Sequence, residues 1–503
     1  MKDSKTIRYL KCLYLFWLFC FSAFSFAQNS ETEINSNSFL DNSIAVLPFE
    51  NLSLNTDDAY FADGIHEEIL FQLTKISNIN PISRTSTLRN TDAEQSIAEI
   101  ASILNVETIM TGSVHYAENR FNIAVSLINA STNTQLWSEV YDRELSDIFA
   151  TQIEIVRHIV TALAVEVTAD EQERIDMVPT HSLEAYTFYL KARALIQNLN
   201  PRMPPKFYLY LDQAIAADPD FALAHAVKAS AYGISHIYNR QLNGLTFDEM
   251  ESVTLEHAKI AVGLDPNLSM AYMAQAFIYY SNLHGTAAKQ AFERALQLGP
   301  NDVDILDEYA LFLIFMGEDE EAAHIAKRAV TLAPKVAHYL SHLGNAYMYA
   351  GNPTAAAEQY RLAIPIQSSA GRHLSLGLME ILLGNRTEAL KELKIADQLE
   401  NSINPNDVAR LAYAYSRLGL SEDAIRVHNT LKIRTDNGQL IRESAWALSF
   451  LAIGEVDKAF ELIAQNPDEG IRYLQIVKSN IMKDPILDQP RFVELRNQIG
   501  FLD

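Results

Sequence analysis

"HLGNAYMYAGNPTAAAEQYRLAI", residues His342–Ile364, reads as two helices joined at a glycine. Leu343, Gly344 and Tyr347 mark the first helix, Gly351 the turn, and Ala356, Tyr360 and Ala363 the second. Small residues at facing positions let paired helices approach closely, and an aromatic ring fills the gap beside them. The same spacing recurs along the chain. Gly317, Gly351, Gly384, Gly419 and Gly454 are spaced 34, 33, 35 and 35 residues apart. An alanine stands five positions after each: Ala322, Ala356, Ala389, Ala424 and Ala459. Pro266, Pro300 and Pro334 lie 34 residues apart, each where a proline would stop one helix before the next begins.

Helical hairpins at this period are the tetratricopeptide signature. Earlier copies are looser. "YLDQAIAADPDF" (Tyr210–Phe221) and "EHAKIAVGLDPNL" (Glu256–Leu268) each end a second helix in Asp-Pro. Between them "YNRQLNGLTFDE" (Tyr238–Glu249) inserts about a dozen residues relative to the repeat length. The expected organisation is a solenoid of about eight hairpins over 183–480, with an insertion near 236–250. Residues 481–503 are expected to form a capping helix with a polar outer face, since a solenoid end must not expose its core.

Upstream the pattern is mixed α/β. "SIAVLPF" (Ser43–Phe49) is an apolar run ended by proline, as in a buried strand. "YFADGIHEEILFQL" (Tyr60–Leu73) follows as a helix, and "NINPISR" (Asn78–Arg84) as a short strand. "DAEQSIAEIASILN" (Asp92–Asn105) is an amphipathic helix with Ile97, Ile100 and Leu104 on one side. "ETIMTGSVHY" and "RFNIAVSLIN" form a hairpin across "AEN". In the second of these strands Phe121, Ile123, Val125 and Leu127 alternate with polar or small residues. "QLWSEVYD" continues the sheet, and "SDIFATQIEIVRHIVTALAVEV" (Ser146–Val167) closes the region as a long helix. The fold class expected is α+β and multidomain: a small α/β domain over 43–167, a polar linker over 168–182, then the all-α solenoid.

The extreme N-terminus reads as a targeting segment. Lys2, Lys5, Arg8 and Lys11 precede an uncharged aromatic-rich run from Cys12 to Ala27 that ends in "SFA". Residues 1–27 are a signal peptide or an N-terminal anchor, with 28–42 as a polar spacer. In both cases the bulk of the protein is expected to be exported, periplasmic or anchored in the inner membrane facing the periplasm. Both cysteines, Cys12 and Cys20, lie in this segment, so disulfides and thiolate chemistry are not expected beyond it. A formal net charge of −23 argues against nucleic acid as a partner.

"SIAVLPFENLS", "YFADGIHEEIL", "GSV" (Gly112–Val114) and "LWSEVYDRELSDIFATQIEI" resemble the TolB amino-terminal-like domain. That domain occurs beside tetratricopeptide arrays in bacterial membrane-bound regulators of the cadaverine type and in class III adenylate cyclase fusions. "DPILDQPRFVELRNQIG" (Asp484–Gly500) is similar to the end of those arrays. The resemblance implies an exported sensory or docking portion. Those relatives carry a DNA-binding or cyclase effector before the membrane segment. Only about ten residues precede the apolar run here, so the expectation is that neither effector activity carries over.

His66, Glu67 and Glu68 stand side by side, as in a metal site or an acid–base pair on a helix. A zinc helix would need a second histidine at position 70, which is Leu70. Helical phase instead places Phe61, Ile65, Ile69 and Leu73 on a core stripe, Glu67 opposite, His66 at the margin, and Gly64 where a strand approaches. "FENLSLNTDD" (Phe49–Asp58) lacks the glycines of a phosphate loop. His338 and His342 are spaced to share one helix face, but no third metal ligand is evident from sequence, and no metal or cofactor is expected. The useful surface is the concave groove of the stacked repeats. Tyr280, Asn345, Tyr349, Tyr413 and Arg417 are the candidate peptide-binding residues. The expected function is a non-catalytic interaction scaffold of the cell envelope, binding a protein or peptide. A membrane-anchored sensor or assembly subunit signalling to a separate effector is the alternative, and an enzyme the lesser one. Self-association is left open.

Overall fold

A computed structural model describes residues 39–53, 59–90, 95–117, 119–195, 203–237, 242, 244–282, 284–399, 404–439, 441–465 and 490. The signal or anchor segment and the expected C-terminal cap lie outside the described residues, as does part of the insertion. The described residues belong almost wholly to one unit, Asp41–Asp503.

The sheet is built from β1 (Leu40–Val46), β2 (Glu50–Asn51), β3 (Asn80–Pro81), β4 (Val106–Ala117), β5 (Arg120–Asn129) and β6 (Thr134–Glu144). Its order is β3-β1-β4-β5-β6, with β2 pairing β4 off this path. β1 and β3 are parallel, whereas β4, β5 and β6 form an antiparallel meander. Phe121, Ile123, Val125 and Leu127 are all buried, as their two-residue alternation requires. Helices α1 (Ala59–Thr74), α2 (Arg84–Asn90), α3 (Ile97–Leu104) and α4 (Ile148–Ala162) accompany the sheet. The helix expected from Asp92 begins only at Ile97, because Ser96 and Glu99 form a reciprocal capping box there.

The stripe on α1 is as the phase requires: Phe61, Ile65, Ile69 and Leu73 are buried. Gly64, however, admits a helix and not a strand. A Cβ built on it would stand 2.5 Å from the Leu190 side chain, in α6 (Leu183–Ala194) of the first repeat. The segment 168–182 is also more than a spacer. It holds α5 (Ala169–Asp176), capped by Thr168 and Glu171, and the Glu171 carboxylate accepts from the Ser77 amide at 2.8 Å. One hydrophobic core runs unbroken from Ile44 and Ile65 to Tyr186, Leu190, Phe207 and Phe221.

The solenoid follows as paired helices. The pairs are α6 with α7 (Pro205–Ala217), α8 (Ala222–Ile237) with α9 (Phe247–Leu264), and α10 (Ser269–Ser281) with α11 (Gly285–Leu298). Next come α12 (Val303–Met316) with α13 (Asp319–Leu332) and α14 (Ala337–Tyr349) with α15 (Pro353–Ile366). The series closes with α16 (Ala370–Leu382) and α17 (Arg386–Gln398), α18 (Pro405–Arg417) and α19 (Ser421–Asp436), and α20 (Glu443–Ala452) and α21 (Val456–Gln465). The five periodic glycines all have φ between 70° and 83°, the left-handed region that lets a helix end and the chain reverse. The alanines five residues on are buried. Gly344 shows why a small residue is needed: an added Cβ would lie 2.9 Å from the Tyr360 ring.

The α/β domain also returns to the middle of the solenoid. The Asn301 amide donates to Thr74 O at 3.2 Å, and its side-chain Nδ2 donates to Ile76 O and Ile79 O at 2.8 and 2.7 Å. In the other direction the Ser83 amide donates to Leu332 O, and the Ser86 hydroxyl to Pro334 O, both at 2.8 Å. Arg328 bridges Asn80 and Asn301. Asn301→Leu removes the side-chain donor from both carbonyls; Ile76 O keeps the Ile79 amide at 3.3 Å, and the loss at Ile79 O costs about 1–3 kcal/mol. The expected result is a lower urea midpoint and loss of amide-exchange protection at Lys75–Ser86, with the far repeats unaffected. Unchanged protection there would show that the junction does not hold the domain.

Candidate functional site

In stacked hairpins the first helix of each pair lines the inner face. Between neighbouring first helices runs a ladder of polar contacts at nearly one repeat period. Tyr339 donates to Asp304 at 3.0 Å and Arg410 to Ser375 at 3.1 Å, each across 35 residues. Arg372 Nε donates to Ser341 at 2.8 Å across 31 residues. The difference between 31 and 35 is one helical turn, so both offsets reach the same neighbouring face. These partners were not singled out from sequence. Searching for polar pairs at these offsets would have found them.

The expected groove residues lie on first helices but are not equally available. Arg417 is exposed and Tyr349 half-buried. Burial raises the Tyr349 phenol above its ordinary value, against the opposing pull of Arg410. Asn345 Oδ1 accepts from the Tyr360 hydroxyl at 2.7 Å, so it ties its own hairpin together. The Tyr280 ring packs edge-on against Phe312 and Phe315 of the next repeat. Tyr413 is 8% exposed and offers little surface. A helix residue one repeat from a bulky neighbour is drawn into the inter-repeat core, which single-repeat phase does not reveal.

Arg372 was not anticipated as a site residue. Its guanidinium meets neutral acceptors: Ser341 Oγ, Gln367 O and Ser369 Oγ. Burial, with the charge of Arg89 on α2, holds it below its ordinary pKa. Arg410 is different: it is in an ion pair with Asp407 at 2.9 Å, while Arg417 is exposed two turns further along the same helix.

His66, Glu67 and Glu68 are each taken up by packing, hydrogen bonds or ion pairs. His66 is 1% exposed, and its Nε2 donates to Val46 O at 2.8 Å. Burial lowers its pKa to about 4. Glu67 lies opposite the core stripe, but it faces other side chains. Arg84 and Arg193 reach it at 2.8 and 2.5 Å, linking α1 to α2 and to α6. Burial alone would raise the Glu67 carboxyl, and these two guanidiniums bring it below the ordinary value. Glu68 is buried, its carboxyl raised by burial, and accepts from Gln72 at 2.8 Å. The three point apart and converge on nothing. His338 and His342 do have a third neighbour, Asp307 on α12.

Fold and site together define a tetratricopeptide solenoid with an α/β domain joined to it. No protein-family model matches the chain. A curated relative, "Putative adenylate cyclase 3" of Rhizobium meliloti (strain 1021), is 38% identical over 208 residues, covering 41% of this chain and 35% of its own. The chain thus spans about a third of that relative's length. A tetratricopeptide repeat protein from Parabacteroides merdae matches with a TM-score of 0.38 and 16% identity, over 51% of this chain and 98% of its own. PilF of Pseudomonas aeruginosa matches with a TM-score of 0.35 and 15% identity, over 47% and 98%. Among the described residues no helix is long and apolar enough to cross a membrane.

The His66 pKa sets an acid limit. The unfolded imidazole takes up a proton as pH falls below about 6.5, whereas the folded one stays neutral to about 4. The stability it contributes is full above pH 6.5 and is lost as pH falls toward 4, a change of about 3 kcal/mol. In urea melts, His66→Gln is expected to lose most of that pH dependence while wild type keeps it. Parallel curves for the two proteins would contradict the assignment.

Proposed function

We propose that the protein is a non-catalytic interaction scaffold whose groove takes an extended, acidic peptide segment of a partner protein. The observation that carries this is Arg372, whose hydrogen bonds go to neutral acceptors, with the exposed Arg417 and the half-buried Tyr349 as further contacts. Arg372 is held by neutral acceptors, so its charge is left for a carboxylate, which a guanidinium grips with paired hydrogen bonds. Tyr349 adds contact area with few rotors to freeze. Asn345, Tyr280 and Tyr413 belong to the wall of the groove more than to its contact surface.

The reading of residues 43–167 as a TolB amino-terminal-like domain, and a setting in the cell envelope, belong to this proposal. They rest on the sequence motifs and on the basic, then apolar, N-terminal segment. No cyclase activity is carried over from the Rhizobium relative. The intact mass of the mature chain distinguishes a cleaved signal from a retained anchor.

The test is fluorescence anisotropy with labelled acidic peptides and their Gln/Asn counterparts. Wild type is expected to prefer the acidic peptides. Arg372→Met with Arg417→Ala is expected to weaken binding at least about tenfold, or 1.4 kcal/mol. Equal affinity for both peptide sets, or for both proteins, would refute the proposal.

A further inference from the structure

Toward the middle of the solenoid the inner face changes chemistry, from guanidinium to imidazole and carboxylate. His338 and His342 stand one turn apart on α14, with ring centroids 4.0 Å apart. Asp307 meets both from the preceding repeat. Its Oδ2 lies 3.2 Å from His338 Nε2, and its Oδ1 lies 2.9 Å from His342 Nδ1. The donor atoms all fall within 4.8 Å of one another. We propose that Asp307, His338 and His342 form a binding site for a divalent late first-row transition ion, with zinc the best fit to the donor set.

Three features support the site. First, the ligands are already gathered. Zinc bonds of about 2.0–2.2 Å in a tetrahedron set donors about 3.3–3.6 Å apart, so the two Asp307–histidine separations of 2.9 and 3.2 Å need to spread by a few tenths of an ångström, with every donor pair already within 4.8 Å. Second, the charge fits. Asp307 is buried, its side chain 4% exposed, and among the described residues its ion pairs are with these two histidines. A dication would compensate it directly. Third, there is access. His338 is 37% exposed, so the site opens onto the groove, and a fourth position is available to water or to a partner's carboxylate.

Binding asks little of the protein chemically. Neutral imidazole offers a lone pair on one ring nitrogen and a proton on the other. The nitrogens facing Asp307 would carry the lone pairs, with each proton moved to the outward nitrogen. The other mixed cluster, Glu139, Glu154 and His158, is less suited, because Arg143 already holds Glu154 at 2.8 Å.

Equilibrium dialysis of the tag-free full-length chain, stripped with chelator and then given zinc, tests the site. Wild type and His158→Gln are expected to retain one equivalent. His338→Gln and Asp307→Asn are expected to bind at least about tenfold more weakly. Because His338 is half-exposed, His338→Gln should keep the wild-type circular dichroism and urea midpoint, which separates loss of ligand from loss of fold. Cobalt as a probe should give the ligand-field bands of a four-coordinate site in wild type and not in His338→Gln. No zinc retained by wild type, or equal retention by His338→Gln, would overturn the inference. The peptide test above stands apart from this one, since its variants leave all three ligands in place.

Discussion

Asn301 fixes the arrangement on which the rest depends. An α-helix ends with carbonyls that have no donor, and proline-terminated hairpins present such ends at every repeat. Here two sets of chain ends satisfy each other. Asn301 supplies donors to Thr74, Ile76 and Ile79 after α1, while Ser83 and Ser86 supply donors to Leu332 and Pro334 after α13. Every bond crosses from the α/β domain to the solenoid. Together with the shared core around Leu190 and Phe207, they attach the domain at two separated points. A single attachment would leave the domain free to pivot. Two of them set which stretch of groove it borders.

That choice of stretch has consequences for charge. Arg193 of the first repeat reaches Glu67 of α1, so an acidic residue of the domain neutralises the solenoid's own cation. Arg89 stands near enough to Arg372 for its charge to act there. The domain is therefore held in part by opposite charges and brings a positive charge near Arg372 at another place.

The repeats were legible in sequence because their constraints are local. A left-handed turn needs glycine, a close helix crossing needs alanine, and both recur at a fixed interval, as Gly351 and Ala356 show. The α1 stripe was legible for the same reason. The junction was not, since Asn301 is an ordinary loop residue until the carbonyls 225 residues away are placed beside it. Gly64 was read correctly as a point of close approach but given the wrong partner, because period and phase say that something comes near without saying what. Of the five candidate groove residues, Arg417 is exposed and Tyr349 half-buried, while Tyr413 is buried, which the phase of its own repeat does not show.

The inner face is built from one structural device put to different chemical ends. Residues 31 or 35 apart meet across neighbouring first helices, whatever their type. Where the repeat places Ser against Arg, as at Ser341–Arg372 and Ser375–Arg410, the serine orients the guanidinium, and Arg410 is paired with Asp407 as well. Where it places Asp against two histidines, at Asp307, His338 and His342, three metal-type donors converge. The scaffold supplies the spacing in both cases, so function along the groove is set by side-chain identity at a few recurring positions. An anion-binding segment and a cation-binding segment can then lie on one continuous surface, and a single acidic chain laid along it could meet both.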